Sequence, residues 1–305
     1  MPEILSVGEC MVEMARRRDG AFDLRVGGDT FNTAIYLSRL GVPVSYMTAV
    51  GDDPYSAMIV NAARSERIGT DAIRVVAGRM PGLYLIETAS GERSFWYWRD
   101  NAPARDLFEL PDADALITRL AAAGTIYLSG ITLSLYSTDG LDRLAAALAQ
   151  ARQNGARVVI DSNYRPAGWR QDTARAQIVY ARFWALTDIA LPSFDDEQAL
   201  WGDNTPDDTF ARLTQFGVGE TCLKMATGGA MVTTGNAPQH VPPAETLSPV
   251  GTTAAGDSFS AAYLAARLDN QAPARAAAHG NRLAGIVIQH PGAIAPAAAT
   301  ASFTV

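Results

Sequence analysis

The sequence predicts an α/β fold, a mostly parallel sheet covered by helices on both faces. Three observations carry that reading: short apolar runs recur along the chain, helix-period stretches separate most of them, and 48% of the 305 residues are hydrophobic. Such a chain buries a sizeable core. Ile4 to Val7 reads as the first strand, and Gly27-Gly28-Asp29-Thr30 then offers turn and cap residues before a helical pattern through Phe31, Ala34, Ile35 and Leu37 to Gly41. Val44 to Val50 is the next strand. Further strands are expected at Ile126 to Leu128, Val158 to Ile160, Ile189 to Leu191 and Thr221 to Leu223, with helices such as Leu141 to Arg152 between most of them.

One region breaks that rhythm. Gly82 to Thr88 and Arg93 to Arg99 flank Ala89-Ser90-Gly91-Glu92, a strong hairpin signal. The hairpin's aromatic residues fall on both faces, which suits a flap covered on one side by a partner subunit or sheet and on the other by a ligand. An ordinary hairpin packed on the main core is the plainer reading. The Ala-rich stretch from Ala293 to Ala301 reads as a weakly ordered or surface terminus.

Composition narrows the function. A net charge of −7 with scattered Lys and Arg argues against nucleic acid as a partner and favours small-molecule chemistry. No export leader or membrane-length apolar run is read, and the two cysteines, Cys10 and Cys222, suggest no disulfide framework, so the cytoplasm is the expected compartment. His240, His279 and His290 are too scattered for a metal ligand set. Neither G-x-x-x-x-G-K-[ST] nor a G-x-G-x-x-G after the first strand occurs, which removes a Walker-type phosphate loop and most support for a dinucleotide enzyme.

The most informative segment is Thr252-Thr253-Ala254-Ala255-Gly256-Asp257-Ser258-Phe259. Phe259, Tyr263 and Ala266 continue it at helical spacing, so Asp257 belongs in the first turn of a helix, where N–H groups point outward and attract anions. Small residues at 254–256 let a phosphate approach the backbone, while Asp257 can accept a proton from an attacking hydroxyl. Phosphoryl transfer follows as the chemistry, although an isolated A-A-G-D also serves as a simple helix start. Arg99 ends the hairpin, and Arg165 lies in Asp161-Ser-Asn-Tyr-Arg-Pro166 just past a predicted strand. Two guanidinium forks near strand ends of an acidic protein favour an anionic ligand. Asp195-Asp196-Glu197 would open another helix, as caps or as a water-mediated Mg²⁺ contact.

Taken together, these segments resemble the ribokinase/pfkB family of carbohydrate kinases over nearly the whole chain. The pieces are Gly27-Gly28-x-x-x-Asn32, the flap hairpin, the Asn163-Tyr164-Arg165 turn and TTAAGDSFSA. Within the family the likeness is to the 2-keto-3-deoxygluconate kinases, carried by Gly8 to Met14, GGDTFNT at 27–33, PGLYLIET at 81–88, GERSFWYWRD at 91–100, LSGI at 128–131, NYRP at 163–166 and DDEQALWG at 195–202. The resemblance implies a ribokinase-like three-layer α/β/α sandwich with a small β lid from about 9–26 and 82–100, all in a single kinase domain. It also implies transfer of the ATP γ-phosphoryl group to the 6-hydroxyl of 2-dehydro-3-deoxy-D-gluconate.

By that resemblance Asp257 is the general base, and the backbone of Ala254, Ala255 and Gly256 is the anion hole. Gly28, Asn32, Tyr84, Tyr97, Arg99 and Arg165 would bind the sugar acid. Asn163, Arg165, Lys224, Gly229, Gly256 and Asn281 would serve ATP, and Asp196 a water-mediated Mg²⁺. A homodimer or higher homo-oligomer through the lid is expected. Three positions depart from the family pattern. Gly251 replaces an Asp associated with a monovalent-cation site, which counts against K⁺ dependence; Lys224-Met225-Ala226 replaces Lys-Arg-Gly; and Ser193-x-x-Asp196 replaces Asn-x-x-Glu. The rival functions are a fructokinase-like enzyme of the same family and a catalytically silent sugar-acid sensor.

Overall fold

A computed structural model describes residues 3–17, 19–89, 92–243 and 248–305. Its strands in chain order are β1 (Ile4–Val7), β2 (Met11–Arg16), β3 (Phe22–Gly27), β4 (Val44–Gly51), β5 (Ile73–Val76), β6 (Leu83–Ala89), β7 (Glu92–Trp98), β8 (Thr125–Ser129), β9 (Arg157–Asp161), β10 (Ile189–Ala190), β11 (Glu220–Lys224), β12 (Ala230–Thr233) and β13 (Gln239–Val241). The helices are α1 (Asp29–Arg39), α2 (Pro54–Ser65), α3 (Ala113–Ala121), α4 (Gly130–Leu135), α5 (Thr138–Gln153), α6 (Thr173–Trp184), α7 (Phe194–Trp201), α8 (Pro206–Gln215), α9 (Ala255–Leu268), α10 (Pro273–Val287) and α11 (Ala297–Thr300).

Nine strands form one sheet in the order β13-β12-β11-β10-β9-β8-β1-β4-β5. Pairing is parallel from β11 through to β5 and antiparallel at β11–β12 and β12–β13. The central strands are apolar and buried on both faces, which a parallel sheet with helical crossovers requires. One core gathers residues of α1, α2, α9 and α10, and the other gathers residues of α3 to α8. The result is the expected three-layer α/β/α sandwich.

Four strands form a second sheet, β3-β2-β6-β7. The predicted hairpin is its β6–β7 edge, with Tyr84 opposite Tyr97 and Ile86 opposite Phe95. The tip residues Ser90 and Gly91 lie outside the described residues. Register separates the two aromatic faces. One carries Tyr84, Ile86, Phe95 and Tyr97 beside Met11, with the Tyr84 and Tyr97 ring centroids 5.9 Å apart. The other carries two fully apolar rows that cross all four strands, Val26-Val12-Leu83-Trp98 and Leu24-Met14-Leu85-Trp96.

The C-terminal stretch departs from its expected character. Ala293, Ala295, Thr300 and Phe303 are buried, and α11 lies within 297–300. The cause is Tyr36, a buried phenol on α1 that donates to the Ala293 carbonyl at 2.8 Å and accepts from the Ala295 N–H at 2.9 Å. Arg39 adds a 2.7 Å bond to the Ala295 carbonyl. A buried hydroxyl without partners is costly, so Tyr36 pins Ala293 and Ala295 to α1, while Pro296, Ala297, Ala298 and Ala301 stay exposed.

Candidate active site

The carboxyl ends of β1, β8, β9 and β11 converge with the N-terminal turns of α1 and α9, the edge where open α/β sheets collect ligands. Asp257 occupies the first turn of α9 and is half-buried. Ala254 caps the helix in the left-handed region at φ 60°, which turns the 254–257 backbone sharply into the helix. The Ala255 amide closes this turn on the Thr252 carbonyl, with nitrogen and oxygen 3.3 Å apart.

Asn32 on α1 donates to Asp257 Oδ2 at 2.9 Å, so the two sequence motifs that lie 225 residues apart meet in one contact. Thr33 Oγ1 lies 3.1 Å from the Asp29 carbonyl, 3.3 Å from the Asp257 carbonyl and 3.2 Å from the Tyr127 hydroxyl, which ties the two helix starts together. Burial, followed by the nearby Asp29 carboxylate, pushes the proton affinity of Asp257 up to about 8, against the opposing pull of Asn32 and Lys224. A carboxylate poised there is a competent base near neutral pH.

Gly28 is fixed by space. A Cβ there would stand 2.2 Å from the Glu9 carbonyl oxygen, so the close approach of α1 to the β1–β2 connection admits only hydrogen. Glu9 itself is buried and ion-paired with Arg99. Burial raises its proton affinity, and Arg99 opposes that rise. Tyr97 has its ring centroid 5.9 Å from the Arg99 guanidinium. Tyr84 turns its hydroxyl to Glu13 and packs over Gly27. Thus Arg99 and Tyr84, both expected to contact the sugar acid directly, are already partnered inside the lid. Among the described residues, the buried Asn32 Oδ1, Glu9 Oε1 and Arg99 Nε have no hydrogen-bond partner, leaving two acceptors and a donor for a polyhydroxy ligand.

On the other side of α9, Lys224 Nζ lies 2.5 Å from Asp161 Oδ2 and 3.5 Å from Ser260 Oγ, and Ser260 Oγ donates to Asp161 at 2.9 Å. The same ammonium would be 3.5 Å from a Cβ at Gly256, so positive charge stands beside the small-residue turn. That fits a phosphate, since Gly256 keeps the approach clear and Lys224 supplies the countercharge. Gly229, at φ +82°, packs against the Val241 carbonyl with room for no side chain, and Asn281 donates to the Val241 and Pro242 carbonyls at 3.1 and 2.9 Å. Gly229 and Asn281 therefore share one loop.

Asn163, with φ 32°, donates to Asp29 Oδ2 at 2.7 Å. Arg165 pairs with Asp196 at 3.0 Å and is more than half exposed, while Ser162 donates to the other Asp196 oxygen at 3.2 Å. Asp196 sits in the first turn of α7, capped by Ser193. Glu197 next to it is fully buried against Arg212. Among the described residues no group of three or more His, Cys, Asp or Glu side chains is arranged to hold a metal by itself. Asp29, Glu9, Asp161 and Ser260 are site residues to which the sequence reading gave no role. The available signal was a polar side chain placed directly at the end of an apolar strand or at a helix start.

A model of the pfkB family carbohydrate kinases matches residues 1–300. The chain belongs to this family. Among relatives of this pfkB kinase, 2-dehydro-3-deoxygluconokinase of Dickeya dadantii is 42% identical over 305 residues, covering 96% of either chain. The 2-dehydro-3-deoxygluconokinase of Escherichia coli K12 is 40% identical, covering 96% of this chain and 97% of its own. A putative ribokinase II of E. coli, solved in complex with ATP and Mg²⁺, superposes with a TM-score of 0.83 at 22% identity, covering 96% and 94%. The pfkB kinase thus has a ribokinase-like sandwich with a lid sheet. No helix among its described residues is long and apolar enough to cross a membrane.

Proposed function

We propose that the protein is a cytosolic 2-dehydro-3-deoxygluconokinase, which transfers the γ-phosphoryl group of ATP to the 6-hydroxyl of 2-dehydro-3-deoxy-D-gluconate. The observation that carries the chemistry is Asp257, held by Asn32 at the start of α9 one residue after Gly256, where a Cβ would stand 3.5 Å from the Lys224 ammonium. The substrate rests on the relatives that are 38–42% identical across the chain and bear this activity as their name.

In this reading Asp257 takes the hydroxyl proton as the oxygen attacks phosphorus, and the 254–256 backbone receives the phosphoryl oxygens. MgATP supplies the phosphoryl group. Lys224 lies beside Gly256, Gly229 and Asn281 shape the nucleotide loop, and Asp196 with Arg165 lies within reach of a hydrated cation or phosphate. The sugar acid lies between Asn32 and the lid, with its carboxylate toward Arg99 and Arg165. Positioning and electrostatics do most of the work, as is usual for phosphoryl transfer.

The two apolar rows on the outer lid face end in Trp96 and Trp98, each more than half exposed. Such a face fits a second copy of the chain, so a homodimer joined through the lids is part of the proposal. The test of function is ADP release with 2-dehydro-3-deoxy-D-gluconate against fructose and ribose. Turnover confined to the sugar acid, with Arg99→Ala raising its KM at least tenfold, is the expected result. Equal use of neutral sugars would point to the fructokinase-like alternative, and binding without ADP to a sensor.

A further inference from the structure

Lys224 is the one lysine among the 25 lysine and arginine residues of this chain, and it stands at the small-residue turn. An ammonium is a compact point charge, narrower than a planar guanidinium, but it rides on a flexible four-carbon stem. Something has to fix its end. The backbone is set by the Lys224 N–H, which donates to the Pro192 carbonyl at 2.8 Å just past β10. The ammonium is set by two residues with no other part in the reaction. Asp161, buried at the carboxyl end of β9, accepts from it on Oδ2 at 2.5 Å. Ser260, fully buried on α9, lies 3.5 Å from the ammonium and donates to the same Asp161 oxygen at 2.9 Å.

The place where these three side chains meet carries the inference. Ser260 follows Gly256 by four residues on α9, so it lies one turn further along on the same side of the helix. A Cβ on Gly256 would be 3.5 Å from Lys224 Nζ, which puts the charge within reach of an oxygen lodged against the 254–256 backbone. An ion pair kept for stability alone has no need of this edge; Glu220 and Arg267 make one at the far end of the same strand and helix. We propose that Asp161 and Ser260 are positioning residues of phosphoryl transfer: they hold the Lys224 ammonium so that its remaining N–H meets the phosphoryl oxygens as the group passes from ATP to the sugar hydroxyl. Charge is spread over those oxygens in the transition state, and a cation fixed beforehand stabilises it without reorganising. Because Asp161 already offsets the positive charge, the gain comes from geometry more than from net attraction. It belongs in kcat rather than in the KM of ATP.

This inference rests on the kinase reading, which ADP release by the wild type with the sugar acid tests by itself. The experiment is kcat and the KM of ATP at saturating 2-dehydro-3-deoxy-D-gluconate for the wild type, Asp161→Asn and Ser260→Ala. Asp161→Asn should lower kcat about tenfold or more with the KM of ATP unchanged or lower, and Ser260→Ala should lower kcat a few-fold in the same manner. A kcat that stays near wild type, or a KM of ATP that rises as activity is lost, overturns the proposal, because the pair then serves folding or nucleotide binding. Should Asp161→Asn fail to fold, Ser260→Ala, a change that a helix accepts, gives the kinetic answer. The lone lysine supplies an independent reading. Protein labelled with ¹³C at lysine Cε shows one side-chain signal, which should shift in the wild type when aluminium fluoride joins MgADP and the sugar acid, and shift less in Ser260→Ala. A wild-type signal that ignores aluminium fluoride, or a Ser260→Ala signal that responds as fully as the wild type's, overturns the idea whatever happens to kcat.

Discussion

Strand β11 and helix α9 run side by side through the sandwich, and their two ends handle charge in opposite ways. At the amino edge of the sheet Glu220 receives Arg267 from the last turn of α9 through bonds of 2.7 and 2.8 Å, and the Tyr263 hydroxyl donates at 2.7 Å. Every strong donor there faces an acceptor, and the arginine also suits the helix C-terminus. At the carboxyl edge Lys224 is drawn to Asp161, while Asp257 has the Asn32 amide on its carboxylate and its proton affinity is raised by burial and by the nearby Asp29 carboxylate. One end is matched for stability. The other keeps an arrangement that weakens the folded protein and makes a stronger base.

The contrast breaks most sharply at Asp257. Asp257→Asn should lower kcat by roughly 10²- to 10⁴-fold, measured by coupled ADP release. In the wild type the free-enzyme profile of kcat/KM should rise with pH up to about 8, because the base works only when deprotonated. Stability runs the other way. A carboxyl whose proton affinity is raised by folding takes up a proton on folding between the ordinary carboxylate range and about 8, so its contribution falls as pH rises through that window. The ligand-free Asp257→Asn protein should therefore melt above the wild type at pH 8.5, with a smaller difference at pH 5.

Lys224 and Arg267 sharpen the comparison from each end. Lys224→Ala leaves Asp161 buried without its countercharge and should cost about 3 kcal/mol in denaturant unfolding together with most of the activity. Arg267→Ala should cost about 2 kcal/mol while kcat stays near wild type, since Glu220 lies at the far edge. Equal loss of activity in both variants would erase the distinction between the ends. The smallest effect is expected at the lid: Trp96→Lys should turn a dimer into a monomer in sedimentation and alter kcat/KM only a few-fold.

Much of the fold was readable because it follows from local pattern. Val44 to Val50 is mostly apolar and reads as a strand, and Phe31, Ala34 and Ile35 mark the inward side of α1. The hairpin declared itself through its turn residues and through aromatics that fall on both faces. The buried part of the tail was not legible because alanine carries no directional signal; what holds it is the Tyr36 hydroxyl, 257 residues away from its acceptor at Ala293. In the site, Asp257 stood out as the lone carboxylate in a run of small residues. Asp29 did not, because an Asp at the start of a helix is common and its partner Asn163 is 134 residues distant.

By itself the sequence determined the α/β order, the helix start that carries Asp257, and the family to which the chain belongs, all features encoded in spacing along a short stretch. Only the tertiary structure decided that Glu9 would hold Arg99, that Lys224 would answer Asp161, and that Asn32 would hold Asp257. The physical reason is range: periodicity and capping act over a few residues, whereas the strength of a charge depends on burial and on neighbours that the fold alone brings together.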